Sequence, residues 1–126
     1  MDSVTHFEIP AKDPKKASAF YSKAFGWQFN QYPGFEYWMI GTTMSDQMGR
    51  PTSPGSINGG MGKKSATLKV PTVTVSVSDI DGTLANIKKL GGKVVEKKTA
   101  VGDMGFTAYF ADPDGNVIGL YQDAGK

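Results

Sequence analysis

The chain opens with the alternating stretch Val4-Thr5-His6-Phe7-Glu8-Ile9, and the same plan returns at a fixed offset as Val70-Pro71-Thr72-Val73-Thr74-Val75. Both stretches alternate apolar with polar residues, which is typical of a strand with one buried face. The alignment places Thr72 where the first copy has His6, the only histidine of the chain. We therefore predict two copies of one structural unit that differ at this position.

The same offset pairs Asp13 with Asp79 and Gly26 with Gly92. Aspartate is a favoured residue before a helix and glycine a favoured residue after it, so each copy is predicted to follow its first strand with a helix. Pro14 suits the first helical position. Strands are predicted over residues 4–9, 27–32, 35–40, 57–61, 70–77, 93–99, 105–110 and 116–121.

The 126 residues suit one domain, because a unit of half this size buries too little apolar surface to be stable alone. We predict a single α+β domain over residues 1–126, with a first βαβββ unit at about 3–62 and a second at about 70–122. Residues 41–56 are rich in Gly, Pro, Ser, Thr and Met without periodicity. They are predicted to form a mobile connection and are a candidate lid.

Composition excludes several classes of function. There is no cysteine, so disulfides and thiolate chemistry are absent. The net charge of +2 comes from dispersed lysines, which gives no reason to expect nucleic acid as a partner. No apolar run approaches the roughly 20 residues of a membrane span, and Met1-Asp2-Ser3-Val4 lacks the features of a secretory signal. We expect no membrane partner and a cytoplasmic location.

Several motifs together resemble the vicinal oxygen chelate superfamily, which includes glyoxalase I, extradiol dioxygenases, fosfomycin-resistance enzymes and bleomycin-binding proteins. These motifs are His6-Phe7-Glu8-Ile9-Pro10, Phe20-Tyr21, Phe25-Gly26-Trp27, Asn58-Gly59-Gly60 and Phe110-Ala111-Asp112-Pro113-Asp114-Gly115-Asn116. The resemblance implies the glyoxalase/bleomycin resistance fold, in which two tandem βαβββ units form curved mixed sheets around a cup. It also implies a homodimer.

The resemblance further implies four positions for metal ligands, on the first and fourth strands of each unit. His6 occupies one of them, whereas Thr72, Gly119 and the glycines at Gly59-Gly60 stand at the other three. A catalytic divalent metal needs about three protein ligands, so we predict no metal ligands and no cofactor. A divalent metal held by His6 and Glu8, with help from neighbouring polar residues, is the alternative.

His6 and Glu8 lie two residues apart on one strand face and are the candidate catalytic residues. His6 suits a general acid or base, and the competing interpretation is a hydrogen-bonding wall residue. Phe20, Phe25 and Phe29 are assigned to the core. The predicted ligand-binding residues supply hydroxyl, aromatic or thioether groups to the cup: Thr72, Thr74, Trp38, Met61, Tyr109 and Tyr121.

The sequence therefore favours a protein that binds a small organic molecule in an aromatic-lined cup without the usual catalytic metal. The first alternative is a metal-dependent lyase, isomerase or dioxygenase of the glyoxalase type. A second alternative is an interaction module whose cup is covered by a partner protein.

Overall fold

Strands and helices follow the order strand, helix and three strands, and this order occurs twice. The first set consists of β1 (Val4–Ala11), α1 (Pro14–Phe25), β2 (Gln28–Gln31), β3 (Tyr37–Gly41) and β4 (Gly59–Lys63). The second consists of β5 (Thr72–Ser76), α2 (Ile80–Lys89), β6 (Lys93–Val101), β7 (Gly105–Ala111) and β8 (Val117–Asp123). The predicted βαβββ repeat and the α+β class are confirmed.

The computed structural model describes residues 1–125, and the chain divides into two units. We call His6–Pro71 the N-terminal unit, and Met1–Thr5 with the chain from Thr72 onward the C-terminal unit. Strands of the N-terminal unit lie in the order β2-β3-β4-β1, and those of the C-terminal unit in the order β5-β8-β7-β6. The first and last strands of each set, β1 with β4 and β5 with β8, are parallel, and the other pairs are antiparallel.

Each unit buries the helix-facing side of its sheet. In the N-terminal unit, Ala11, Ile40 and Met61 are buried together, and Phe7 and Ile9 pack against them. The corresponding core of the C-terminal unit consists of Val77, Ile80, Leu84, Ala108 and Leu120. Because side chains alternate along a strand, the residues between these core positions point to the opposite face of each sheet.

Both helices begin after the predicted aspartate, but only at α1 does the aspartate side chain cap the helix. The Asp13 carboxylate accepts a hydrogen bond from the Lys16 backbone N–H at 3.2 Å, and Gly26 ends α1 with a left-handed φ of 75°. At α2, Asp79 occupies the N-cap position as predicted, but its side chain makes no capping hydrogen bond. The side-chain oxygen of Gln122 on β8 accepts from the Ile80 N–H at 2.8 Å instead, a long-range contact that local sequence does not reveal.

Helix α1 rests on its sheet more loosely than its apolar pattern indicates. Phe20 and Phe25 are each 64% exposed, so their assignment to the core is wrong, whereas Phe29 packs against the core as predicted. Tyr21 contacts the sheet instead: its ring stacks on Phe29 of β2 with centroids 6.5 Å apart, and on Trp27 just before that strand at 5.3 Å. Helical spacing identifies an apolar face, but only the centre of that face meets the sheet.

The segment between β3 and β4 is irregular, as predicted, but Asn58 anchors it. The Asn58 side-chain oxygen accepts from the Thr42 N–H at 2.8 Å, and its nitrogen donates to the Ser45 hydroxyl at 2.8 Å and to the Gly49 carbonyl at 2.9 Å. These bonds give the segment a defined course, and its role as a lid stays a prediction. Neither helix described within residues 1–125 is long and apolar enough to cross a bilayer.

Candidate functional site

The polar face of β1 carries His6 and Glu8, opposite the core residues Phe7 and Ile9. Their placement on one face agrees with the predicted alternation. Glu8 is only 7% exposed, although carboxylates are seldom buried without a partner. The register places Glu8 beside Gly60 of the parallel strand β4.

Tyr37 joins the two side chains, and its role was not predicted. Its hydroxyl donates to Glu8 Oε2 at 2.8 Å and lies 3.0 Å from His6 Nε2. These contacts link an imidazole, a phenol and a carboxylate in one hydrogen-bonded chain inside the N-terminal unit. We call this set the His6–Tyr37–Glu8 chain. A hydrogen bond to a charged acceptor stabilises more than one between neutral groups, so the Glu8 contact is the stronger of the two.

Glycines in β4 make room for the Tyr37 ring. A Cβ atom at Gly60 would overlap with the hydroxyl and ring carbons of Tyr37, and one at Gly62 would lie 3.5 Å from Tyr37 Cδ1. The ring therefore lies across β4, from its own strand β3 toward Glu8 on β1. Glycine alternating with Met61 is the sequence signal that could have revealed this crossing, because a strand with no side chains on one face leaves space for a neighbour's ring.

The environment favours the neutral form of His6. Burial lowers the pKa of His6 from its ordinary value of 6.5, and the negative charge of Glu8 opposes that shift without reversing it. The imidazole is therefore mainly uncharged at neutral pH. A neutral imidazole beside a phenol and a carboxylate can donate or accept a proton, or hydrogen-bond a polar group of a ligand.

The acidic and imidazole groups do not fit a catalytic divalent metal. Within residues 1–125, no three His, Cys, Asp or Glu side chains come together in a group that could hold a metal ion. Glu8 already accepts the Tyr37 hydroxyl, and Gly60, not a carboxylate, is its neighbour on β4. A site of one imidazole and one carboxylate falls short of the usual three protein ligands.

The C-terminal unit has a polar face of its own, which carries four of the predicted ligand-binding residues. Thr72 and Thr74 on β5 are both 5% exposed. Gly119 pairs with Thr74 and with Tyr109, and a Cβ at Gly119 would lie 3.3 Å from the Tyr109 ring. Tyr121 shares this face and donates its hydroxyl to the Met104 carbonyl at 2.9 Å. The face therefore offers hydroxyl and aromatic groups, and its carboxylate comes from Glu96 of β6, which pairs with Tyr109, rather than from β5.

Trp38 and Met61, also predicted to bind a ligand, lie elsewhere. Met61 is fully buried in the core of the N-terminal unit, and Trp38 packs against that core, opposite the face that carries His6 and Glu8. Trp38 and Met61 pair directly across β3 and β4, so both follow the same alternation. The sequence alone does not give the register of these strands, so it could not reveal that Trp38 and Met61 lie away from His6 and Glu8.

Known proteins resemble this chain in sequence over nearly its whole length. The family model of the Glyoxalase/Bleomycin resistance protein/Dioxygenase superfamily matches residues 3–120. A glyoxylase-like domain-containing protein of Didymella fabae is 30% identical over 128 residues, covering 98% of this chain and 95% of that protein.

Solved structures share the fold at low identity. A methylmalonyl-CoA epimerase variant of Streptomyces coelicolor, in complex with 2-nitronate-propionyl-CoA, is 15% identical, with a TM-score of 0.65 over 97% of this chain and 94% of its own. A glyoxalase/bleomycin resistance protein/dioxygenase superfamily member of Vibrio splendidus 12B01 is 14% identical, with a TM-score of 0.59 over 98% and 99%. The fold and the family match together show that the chain belongs to the Glyoxalase/Bleomycin resistance protein/Dioxygenase superfamily.

Proposed function

We propose that this protein binds a small organic molecule on the polar face of its N-terminal unit without a divalent metal. The observation that carries the proposal is the His6–Tyr37–Glu8 chain, a partly buried polar network beside the glycines of β4. Buried polar networks orient their members, and small-molecule sites combine a few such fixed polar groups with aromatic surface.

The chemistry of the His6–Tyr37–Glu8 chain supports a ligand with both polar and apolar parts. The Tyr37 ring offers an apolar surface, and its hydroxyl is held by Glu8. The His6 imidazole adds a group that can donate or accept a hydrogen bond. The threonine and tyrosine face of the C-terminal unit is a separate candidate for ligand contacts.

The experiment is a thermal-shift screen of metabolites and antibiotics in the presence of a metal chelator, repeated with added Zn²⁺, Mn²⁺ or Mg²⁺. Acyl-CoA compounds belong in the library, because the Streptomyces coelicolor epimerase of the same fold was solved with 2-nitronate-propionyl-CoA. A ligand at 100 times its dissociation constant adds about 2.7 kcal/mol to the stability, which raises the melting temperature measurably. We expect such shifts in chelator alone.

Two variants test the place of binding. Tyr37→Phe removes the hydroxyl that joins His6 to Glu8, and Tyr32→Phe removes a hydroxyl from a ring that packs on Phe35 instead. We expect the first variant to weaken binding and the second to leave it unchanged. A library in which no compound shifts the wild-type protein, or in which every shift needs added metal, would contradict the proposal.

A second candidate function is metal-independent proton transfer, of the lyase or isomerase type. The specific observation in its favour is that Tyr37 bridges an imidazole and a carboxylate, the two groups that most often move protons in enzymes. Compounds from the screen are incubated with protein in D₂O and followed by NMR. Deuterium incorporation that disappears in His6→Ala supports catalysis, whereas incorporation at equal rates with and without protein contradicts it.

We also propose that the protein forms a homodimer. The support is its membership of a superfamily whose cups are often completed between subunits. Sedimentation at twice the 13.5 kDa chain mass is the expected result. A single species at 13.5 kDa over a range of concentrations would refute the dimer.

A further inference from the structure

The direction of the hydrogen bonds in the His6–Tyr37–Glu8 chain determines where His6 carries its proton. A tyrosine hydroxyl has one hydrogen, and Tyr37 donates it to Glu8 Oε2 at 2.8 Å. The contact of 3.0 Å between the Tyr37 oxygen and His6 Nε2 therefore needs a hydrogen from the imidazole. His6 must then be protonated at Nε2, and the network rather than an observed hydrogen assigns this tautomer.

The other ring nitrogen of His6, Nδ1, is consequently a hydrogen-bond acceptor in the neutral imidazole. Tyr37 is the one hydrogen-bond partner of the His6 ring among residues 1–125. Every fully buried polar side-chain atom in that part of the chain has a partner, so Nδ1 is not fully buried. The half-buried ring thus turns one nitrogen toward Tyr37 and leaves the other without a protein partner and not fully covered.

We propose that His6 acts through Nδ1, which accepts a proton or hydrogen bond from an acidic O–H, N–H or C–H group of the ligand, and that Tyr37 is the positioning residue that fixes this orientation. The ligand part of this inference rests on the proposed function, whereas the tautomer does not. Glu8 holds the Tyr37 hydroxyl in place by accepting its hydrogen bond. The substrate class is therefore a molecule that presents a proton donor to His6, not one whose polar groups are all acceptors.

NMR of the imidazole tests the assignment directly, because His6 is the only histidine and its signals need no separation from others. The full-length protein labelled with ¹⁵N shows which ring nitrogen carries hydrogen, because protonated and unprotonated imidazole nitrogens have very different shifts. We expect hydrogen on Nε2 and a hydrogen-bonded Nε2–H proton that exchanges slowly with water. In Tyr37→Phe this proton signal is lost, and in the control Tyr32→Phe it is retained.

A pair of small probes tests the accessible nitrogen. Phenol has a proton donor, and its methyl ether anisole has the same ring without one. We expect millimolar phenol to move the Nδ1 resonance and anisole to leave it in place. Phenol that fails to move Nδ1 would overturn the ligand-facing role of this atom.

The outcomes separate this inference from the proposed function. Hydrogen on Nδ1 in the wild-type protein, or an unchanged Nε2–H signal in Tyr37→Phe, overturns the inference even when the screen finds metal-free ligands. The wild-type spectrum alone decides the tautomer if a variant fails to fold. Conversely, a screen without ligands overturns the proposed function while the Nε2–H assignment can still be measured.

Discussion

Gly60→Ala should destabilise the protein because Tyr37 occupies the space into which the new methyl group would point. The backbone at Gly60 has no positive φ, so alanine is conformationally allowed there and the contact alone decides the outcome. The added Cβ would overlap with the Tyr37 hydroxyl and ring. The ring must therefore move off β4, which breaks its bonds to Glu8 and His6.

The expected loss follows from those two bonds. A hydrogen bond to a charged group contributes about 1.5–3 kcal/mol and one between neutral groups about 0.5–1.5 kcal/mol. Replacing glycine with alanine returns about 0.4–1 kcal/mol by restricting the unfolded chain. The free energy of unfolding should fall by about 1–4 kcal/mol in total, measured as a shift of the urea midpoint at constant m-value.

A double-mutant cycle isolates the cause. In a Tyr37→Ala background the ring is absent, so Gly60→Ala should be neutral or slightly stabilising. Gly62→Ala on the same strand is the matched control: its Cβ would lie 3.3 Å from Leu68 Cδ2 and 3.5 Å from Tyr37 Cδ1, so we expect a loss below about 1 kcal/mol. Equal losses from Gly60→Ala with and without the Tyr37 ring would refute the reasoning.

Four further results are expected. Gln122→Ala removes the acceptor that caps α2 and should lower the free energy of unfolding by about 1 kcal/mol, whereas Asp79→Ala should lower it less. Urea unfolding would show the reverse order if the Asp79 side chain provided the cap. Asn58→Ala removes three hydrogen bonds from the segment between β3 and β4 and should speed hydrogen exchange there, an effect that Asn30→Ala should not reproduce. Glu8→Gln removes the charge that raises the pKa of His6, so an NMR titration should place that pKa lower than in the wild type, and a rise would contradict the assigned electrostatics. Since the pKa of His6 is lowered on folding, the unfolded chain binds more protons than the folded chain just below pH 6.5. The free energy of unfolding should therefore fall as the pH drops through this range. A His6→Gln variant whose free energy of unfolding depends on pH in the same way would argue against this.

The fold was predictable because the sequence signals that define it act over a few residues and occur in both units. An alternating strand, an aspartate before a helix and a glycine after it act within a few residues, and Asp13 and Gly26 perform these roles at α1. The predictions that failed depend on contacts distant in the chain. Gln122 reaches α2 from the last strand, and the exposure of Phe20 depends on where α1 meets its sheet.

Strand parity explains why Trp38 and Met61 lie on the core face rather than beside His6 and Glu8. An error of one residue in the facing of a strand moves every side chain to the other side of the sheet. The facing of β1 was visible in its own alternation, so His6 and Glu8 were correctly placed together. Nothing in the sequence of β3 fixes its facing, because Tyr37, Trp38, Met39 and Ile40 are all apolar or aromatic. Pairing with β4 decides it, and this pairing places Trp38 beside Met61.

Gly60 and Gly119 stand at equivalent positions of the two units, where the resemblance implies metal ligands. Both glycines also have a structural role. Gly60 pairs with Glu8, and Gly119 pairs with Thr74, the residue equivalent to Glu8 in the repeat. At both positions a tyrosine ring from the adjacent strand approaches the glycine, Tyr37 in one unit and Tyr109 in the other.

A carboxylate at Gly60 would therefore have to displace the Tyr37 ring before it could approach a metal beside His6. The ring and the carboxylate are alternative occupants of one space, and the hydrogen bond from Tyr37 gives the buried Glu8 a partner. Introducing a glutamate by Gly60→Glu should consequently fail to create a metal site unless Tyr37 is also made small. Zn²⁺ binding by Gly60→Glu alone, measured by calorimetry, would show that the ring yields, whereas binding only in the Tyr37→Ala double variant would show that Tyr37 keeps the site free of metal.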